Sequence, residues 1–385
     1  MSLPRKIIRY IEEHQEETLK LLMELAQIPA PSHQEDKRVA FCVDWLSRNG
    51  VEHVSTDEAK NVICSFGSCG ENDPLVVYMA HSDVVFPDME SLPLTVDGDR
   101  IYCPGVGDDT VNVVHLLMAA RYLSEHELQP VQGGVLLVIN SCEEGLGNLH
   151  GARTLIKNYG SRVKEVYALD CENGIVYVDA VGSLRYRVII KTEGGHSYTA
   201  FGNRNAIFYL SSLITTLYQL KVPQRGISTY NVGVIEGGTS VNTIAQHAEM
   251  LFEMRSDNRE DLAEMDAHFR AAIEFYRTKG ITVEVEVVGE RPCAGEIDRE
   301  KHAAMAEKSA AAIRRYFDDV EINFTSGSTD CNIPLSCGIP AVAGGCFIGY
   351  GAHTREEYIE ISSICPSQKV AFDMILDHFV VDEGE

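Results

Sequence analysis

The chain has 385 residues, too many for one ordinary hydrophobic core, so two domains are expected. Hydrophobic residues make up 45% and charged residues 23%, the balance of an ordinary globular protein. The formal net charge of −24 argues against nucleic acid or an anionic membrane as partner, since either needs a basic face.

No segment approaches the ~20 apolar residues of a membrane helix. The start, MSLPRKIIRYIEEHQEE, is charged and amphipathic, without the apolar core of a signal peptide. Eleven cysteines, an odd number, lie mostly in apolar runs (Cys42, Cys64, Cys142, Cys346) and form no C-x-x-C pair. That usage suits reduced thiols in a cytoplasmic protein and not a disulfide framework or a thiolate zinc site.

In chain order, a helix is expected from about Pro4 to Ala26 and a second from Asp36 to Asn49, where Gly50 can stop it in the left-handed conformation. NVICSF and LVVYMA read as strands, VNVVHLLMAARYLSEH as a helix, GGVLLVINS as a strand, GARTLIKNYG as a helix and EVYALD as a strand. Strands apolar on both faces and separated by helices predict a largely parallel sheet with helices on both faces. From Gly182 the rhythm changes. SLRYRVIIKTEG, NAIFYLSSLITTLYQL, STYNVGVIEGG, HAEMLFEMRS, EDLAEMDAHFRAAIEFYRTKG and ITVEVEVVGE read β-α-β-β-α-β, a separate small sandwich of about 110 residues. After Pro292 the α/β pattern returns with a helix from Glu300 to Tyr316, the strands IPAVAG and CFIG, and a last helix after Pro366. The expected domains are 1–181 with 294–385, interrupted by 182–293.

Four acidic or histidine clusters fall where strands of the α/β portion end. LVVYMA runs into His81-Ser82-Asp83, the loop CPGVGDDT carries Asp108 and Asp109, GGVLLVINS leads to Glu143-Glu144, and EVYAL to Asp170. The carboxyl ends of strands are where open α/β sheets place ligands. Singly, each acid reads as a turn former or helix cap, and His81 as a half-buried histidine. Together, and with His353 in GYGAHTREEYIE, they point to a cation site.

These segments resemble those of the di-zinc peptidases and deacylases that include peptidase T, carboxypeptidase G, aminoacylases and acetylornithine deacetylase. HSDVVFP, GVGDDT, SCEEG, YALDCENG and GYGAHTREEYIEISS carry the likeness, which spans nearly the whole chain. The resemblance implies a zinc-peptidase-type α/β catalytic domain interrupted by a ferredoxin-like lid and dimerisation domain, hence a homodimer. It implies one metal on His81 and Asp170, another on Glu144 and His353, and Asp108 bridging, with a cis peptide between Asp108 and Asp109. Asp83 would hydrogen-bond the far nitrogen of His81. Glu143 would be the general base toward a water held between the cations. Nitrogen and oxygen donors suit zinc, with cobalt or manganese also compatible. In the inserted domain, TEGGHSYTAFGNRNAI and EGGTSVNTIAQHAEMLFEMRS resemble segments giving His196 for the oxyanion, Asn242 for substrate contact and Arg255 for a substrate carboxylate. SGSTDCNIP resembles a substrate-side loop with Ser328 and Asp330. The bridging loop departs from the family pattern at Thr110 and Asn112, which bears on substrate preference and not on the ligands.

The function this implies is metal-dependent hydrolysis of an amide bond in a short peptide, as an exopeptidase acting at either end. Asp170 points toward peptidases, where deacylases more often carry glutamate. The enzyme alternative is an N-acyl-amino-acid deacetylase. The non-enzyme alternative, an inactive metal- or peptide-binding protein, has no use for Glu143.

Overall fold

The apolar runs of the α/β portion assemble into one eight-stranded sheet. Its order is Val54–Thr56, Val62–Gly67, Gly134–Asn140, Leu75–His81, Val163–Leu169, Ala341–Gly344, Ile175–Ala180 and Asn323–Gly327. The computed structural model describes residues 2–381. The chain divides into two units, Met1–Asp179 with Glu296–Glu385, and Ala180–Gly295.

In the first unit the four central strands are parallel. Val62–Gly67 and Ile175–Ala180 run antiparallel to their neighbours, so the sheet is mixed at its margins. Register sets the chemistry's position: His81 pairs with Asn140, which brings the residues after both strands to the same edge. The Val111–Glu125 helix has twelve buried residues, from Val111 through Leu123, and is held in the core around most of its circumference. Among the described residues, no helix is long and apolar enough to cross a membrane.

Several elements differ from the expected ones. The first helix is two, Arg5–Glu13 and Gln15–Ala26, broken at His14. There the ring Nδ1 lies 2.7 Å from the Tyr10 carbonyl that also receives the His14 N–H, so side chain and backbone share one acceptor. The last helix, Ile361–Leu376, starts before Pro366 and contains it. CFIG is not a strand; Phe347 makes only an isolated bridge to Glu172, and the strand that follows is Gly349–Tyr350. Gly50 stops the Asp36–Arg48 helix at φ 70°, a conformation that spares glycine a Cβ clash.

The second unit is a four-stranded antiparallel sheet in the order Ser228–Gly237, His247–Ser256, Gly182–Lys191, Thr282–Arg291. The helices Ala206–Leu217 and Arg259–Thr278 cover one face and enclose a separate core around Phe252, Met265 and Phe269.

Candidate metal centre

His81 is the last residue of its strand and is buried. Its Nε2 lies 3.0 Å from Asp108 Oδ1. The other carboxylate oxygen of Asp108 lies 3.1 Å from His353 Nε2, which is also 3.1 Å from Glu144 Oε1. One ligand atom from each of His81, Asp108 and Glu144 lies within 4.8 Å of the others. Asp170 follows the Val163–Leu169 strand. Burial, with the Asp108 charge next, raises its pKa above the usual carboxylate range. The peptide between Asp108 and Asp109 is cis.

This donor set fits two cations. Asp108 offers one oxygen toward each histidine, as a bridging carboxylate must. The ring Nδ1 of His81 lies 3.1 Å from the main-chain oxygen of Asp83, which can only accept. With a cation between Nε2 and Asp108, Nδ1 would carry the proton toward this oxygen and the Nε2 lone pair would face the metal.

Asp83 also approaches the His81 ring with its side chain. Its carboxylate is 3.6 Å from Nδ1, beyond hydrogen-bond reach. It accepts instead the backbone N–H of Glu143 at Oδ1 and of Glu144 at Oδ2, both at 2.9 Å, and the Ser32 hydroxyl at 2.6 Å. The pattern recurs around the site. Asp109 Oδ2 accepts the His81 N–H at 2.9 Å. Glu357 accepts the N–H groups of Gly105, Gly107 and Asp108 at 2.6–2.9 Å. Burial, with Asp108 next, pushes Glu357 up to about 7. Each of these loops is thus pinned by a buried carboxylate from another segment. Glu357 escapes a reading by residue type, since its partners are backbone groups; its only signal in the sequence is its place in the His353 motif.

Asp330 is buried, and its Oδ2 accepts from Asn140 Nδ2 at 2.5 Å. Burial, then the Glu143 charge, raises its pKa well above the ordinary value.

In the second unit, His196 and Asn242 belong to one loop cluster: His196 pairs with Thr243, and the Asn242 carbonyl accepts the Ser197 N–H at 3.0 Å. Nδ1 of His196 receives the Tyr198 and Thr199 N–H groups at 3.2 and 3.4 Å, which leaves the ring proton on Nε2. Arg255 lies elsewhere. It sits eight residue steps along the strand from His247, roughly 26 Å at ~3.3 Å per residue, with Nε 3.0 Å from Glu253.

Residues 77–377 match the model of peptidase family M20/M25/M40. The chain belongs to this family and is a hydrolase. It is 24% identical over 332 residues to carboxypeptidase G2 of Pseudomonas sp. (strain RS-16), covering 81% of this chain and 75% of that one. A tripeptidase from Staphylococcus aureus shares the fold with a TM-score of 0.74 at 24% identity, over 94% of this chain and 98% of its own. So does a dinuclear metal-binding M20 peptidase from Bacillus subtilis, with a TM-score of 0.64 at 18% identity, over 95% and 99%.

Proposed function

We propose that this hydrolase is a two-metal exopeptidase that cleaves an amide bond in a short peptide, with Glu143 as general base. The observation that carries the reading is the presentation of the two Asp108 oxygens to His81 and His353, with the neighbouring glutamate pair held by Asp83. His81 and Asp170 would hold one cation, Glu144 and His353 the other, and Asp108 both; zinc suits these donors best. Cations so bound lower the pKa of water and polarise an amide carbonyl. Glu143, next to a ligand but free of ligand duty in this assignment, takes the proton of the attacking water and returns it to the leaving amine. His196, its Nδ1 already an acceptor, is set to donate from Nε2 to the developing oxyanion. The likeness to carboxypeptidase G2 and to the tripeptidase supports a peptide substrate.

We further propose a homodimer built through the inserted unit. His196 and Asn242 lie at one end of its sheet and Arg255 toward the other, so one copy cannot bring all three to a short substrate. The Ser228–Gly237 edge strand exposes Val234 and Ile235, and the neighbouring helix exposes Ile207 and Phe208. Eleven free cysteines support a reducing, cytoplasmic setting.

The test is kinetics of the zinc-, cobalt- or manganese-loaded enzyme on dipeptides and tripeptides against N-acyl amino acids. Peptide turnover abolished by chelation and restored by metal is expected. Turnover of acyl amino acids alone would make it a deacetylase, and no turnover on either set would reject hydrolysis of both classes.

A further inference from the structure

Between the Gly134–Asn140 strand and Glu144, three consecutive backbone N–H groups end on buried carboxylates. Those of Glu143 and Glu144 end on Asp83, as described. That of Cys142 ends on Glu35 Oε1 at 3.2 Å. Glu35 comes from the far N-terminal part of the chain, immediately before the Asp36–Arg48 helix, and is 1% exposed. The same Oε1 lies 3.1 Å from the Cys142 thiol, which donates to it, and accepts the His33 N–H at 2.8 Å. Lys60 Nζ is 3.9 Å from Oε2.

Cys142 has φ 57°, the left-handed region, which a residue with a Cβ holds only where its surroundings fix it. Two features fix it. Gly147 packs so closely that a Cβ there would lie 2.7 Å from the Cys142 carbonyl oxygen. Glu35 takes both donors of Cys142, its N–H and its S–H. Ser32, from the same short segment, adds a bond to Asp83 and one to the Glu144 carbonyl at 3.1 Å. The segment Ser32–Glu35 therefore grips the glutamate turn on both flanks.

We propose that Glu35 is a positioning residue for hydrolysis: by holding Cys142 in its left-handed turn it fixes where the next residue, Glu143, presents its carboxyl. This rests on the reading of Glu143 as the base. Glu35 touches no candidate ligand side chain, so its effect falls on proton transfer and not on cation affinity.

The experiment uses the full-length, metal-loaded chain. Glu35→Ala is expected to lower kcat ~10–100-fold with KM little changed, as a misplacement of the reacting group by up to about 1 Å does. Both metals should remain by elemental analysis, and amide hydrogen exchange at Cys142, Glu143 and Glu144 should accelerate. Glu35→Gln keeps an oxygen acceptor and should restore most of kcat and of the exchange protection. Cys142→Gly, which adopts the turn unaided, should recover part of the loss in the Glu35→Ala background. Glu35→Asp, which keeps the charge but shortens the reach, covers the case where Glu35→Ala does not fold; it should lose kcat while folded. Full kcat with unchanged exchange in Glu35→Ala or Glu35→Asp overturns the proposal. So does an equal loss for the Ala and Gln variants, or loss of metal. Retained turnover in Glu143→Gln would instead sink the base assignment, and with it the catalytic part of this role, while the exchange data still report whether Glu35 holds the turn.

Discussion

The Nδ1 of His81 stands 3.1 Å from the main-chain oxygen of Asp83 and 3.6 Å from its carboxylate. Backbone and side chain of one residue thus face different groups: the carbonyl is the nearer acceptor to the imidazole, and the carboxylate anchors the Glu143–Glu144 backbone.

Asp83→Asn separates the two. The carbonyl is unchanged, so His81 keeps its tautomer and the metals should stay bound. The amide can accept at one oxygen only, and its NH2 faces the other backbone N–H. Leaving one buried donor unpaired costs about 1–3 kcal/mol of stability. Turnover should fall about 10–100-fold through displacement of the glutamates. Thermal unfolding, elemental analysis and kinetics check the three statements; loss of metal with the tautomer partner intact would reject this division of labour.

A second prediction concerns acid lability. His115 is fully buried in the Val111–Glu125 helix, and neither ring nitrogen has a hydrogen-bond partner among the described residues. Burial pushes its pKa down to about 3. Above pH ~6.5 the ring is neutral in the folded and unfolded chain, and the group has no effect on the pH slope. As pH falls from there toward about 3, the unfolded chain binds a proton that the folded chain refuses, so stability drops. The slope is at most ~1.4 kcal/mol per pH unit. His115→Leu, close in volume, should flatten the slope between pH 6 and 4 by roughly one proton's worth. Denaturant titrations at several pH values measure it, and an unchanged slope would mean that His115 charges freely in the fold.

Much of the site was legible because strand ends have a signature. The apolar runs before His81, Glu143 and Asp170 stop abruptly at ligand-type side chains, and parallel pairing aligns those stops on one sheet edge. The β-α-β-β-α-β order of the inserted unit was legible for the same reason, as alternating periodicities. What was not legible is anything held by backbone. Glu35 lies just before a helix and Glu357 inside the His353 motif, and neither position marks its role, because an N–H acceptor needs no particular neighbour in sequence. The break at His14 and the accommodation of Pro366 inside a helix were likewise set by local bonding and burial that hydrophobic spacing does not encode.

Assembly gives a third prediction. If copies pair through the Ser228–Gly237 edge, Ile235→Glu should place a charge in the interface, since Ile235 is 54% exposed in the single chain. Sedimentation velocity at micromolar protein should give a dimer for the parent chain and a monomer for the variant. The variant should keep its metals and lose hydrolysis, because a single copy would no longer have a second one to complete the set of His196, Asn242 and Arg255. A monomeric parent with full activity would sink the dimer reading.

The last prediction separates two adjacent glutamates. Glu143 and Glu144 are both buried, and both are anchored through backbone N–H groups to Asp83, and Glu144 has its carboxylate on the His353 imidazole. Glu144→Ala should therefore weaken metal binding, and excess zinc should restore part of the activity. Glu143→Gln preserves shape and the backbone anchor but removes the basic oxygen, so both metals should stay while kcat falls ~10²–10⁴-fold. That is roughly 3–5.5 kcal/mol of barrier, and it should appear in kcat more than in KM because the proton moves only in the transition state. Elemental analysis beside steady-state kinetics distinguishes the outcomes. Retained turnover in Glu143→Gln with both metals bound would remove it as the base, and loss of metal from that variant would mean that the two glutamates exchange roles.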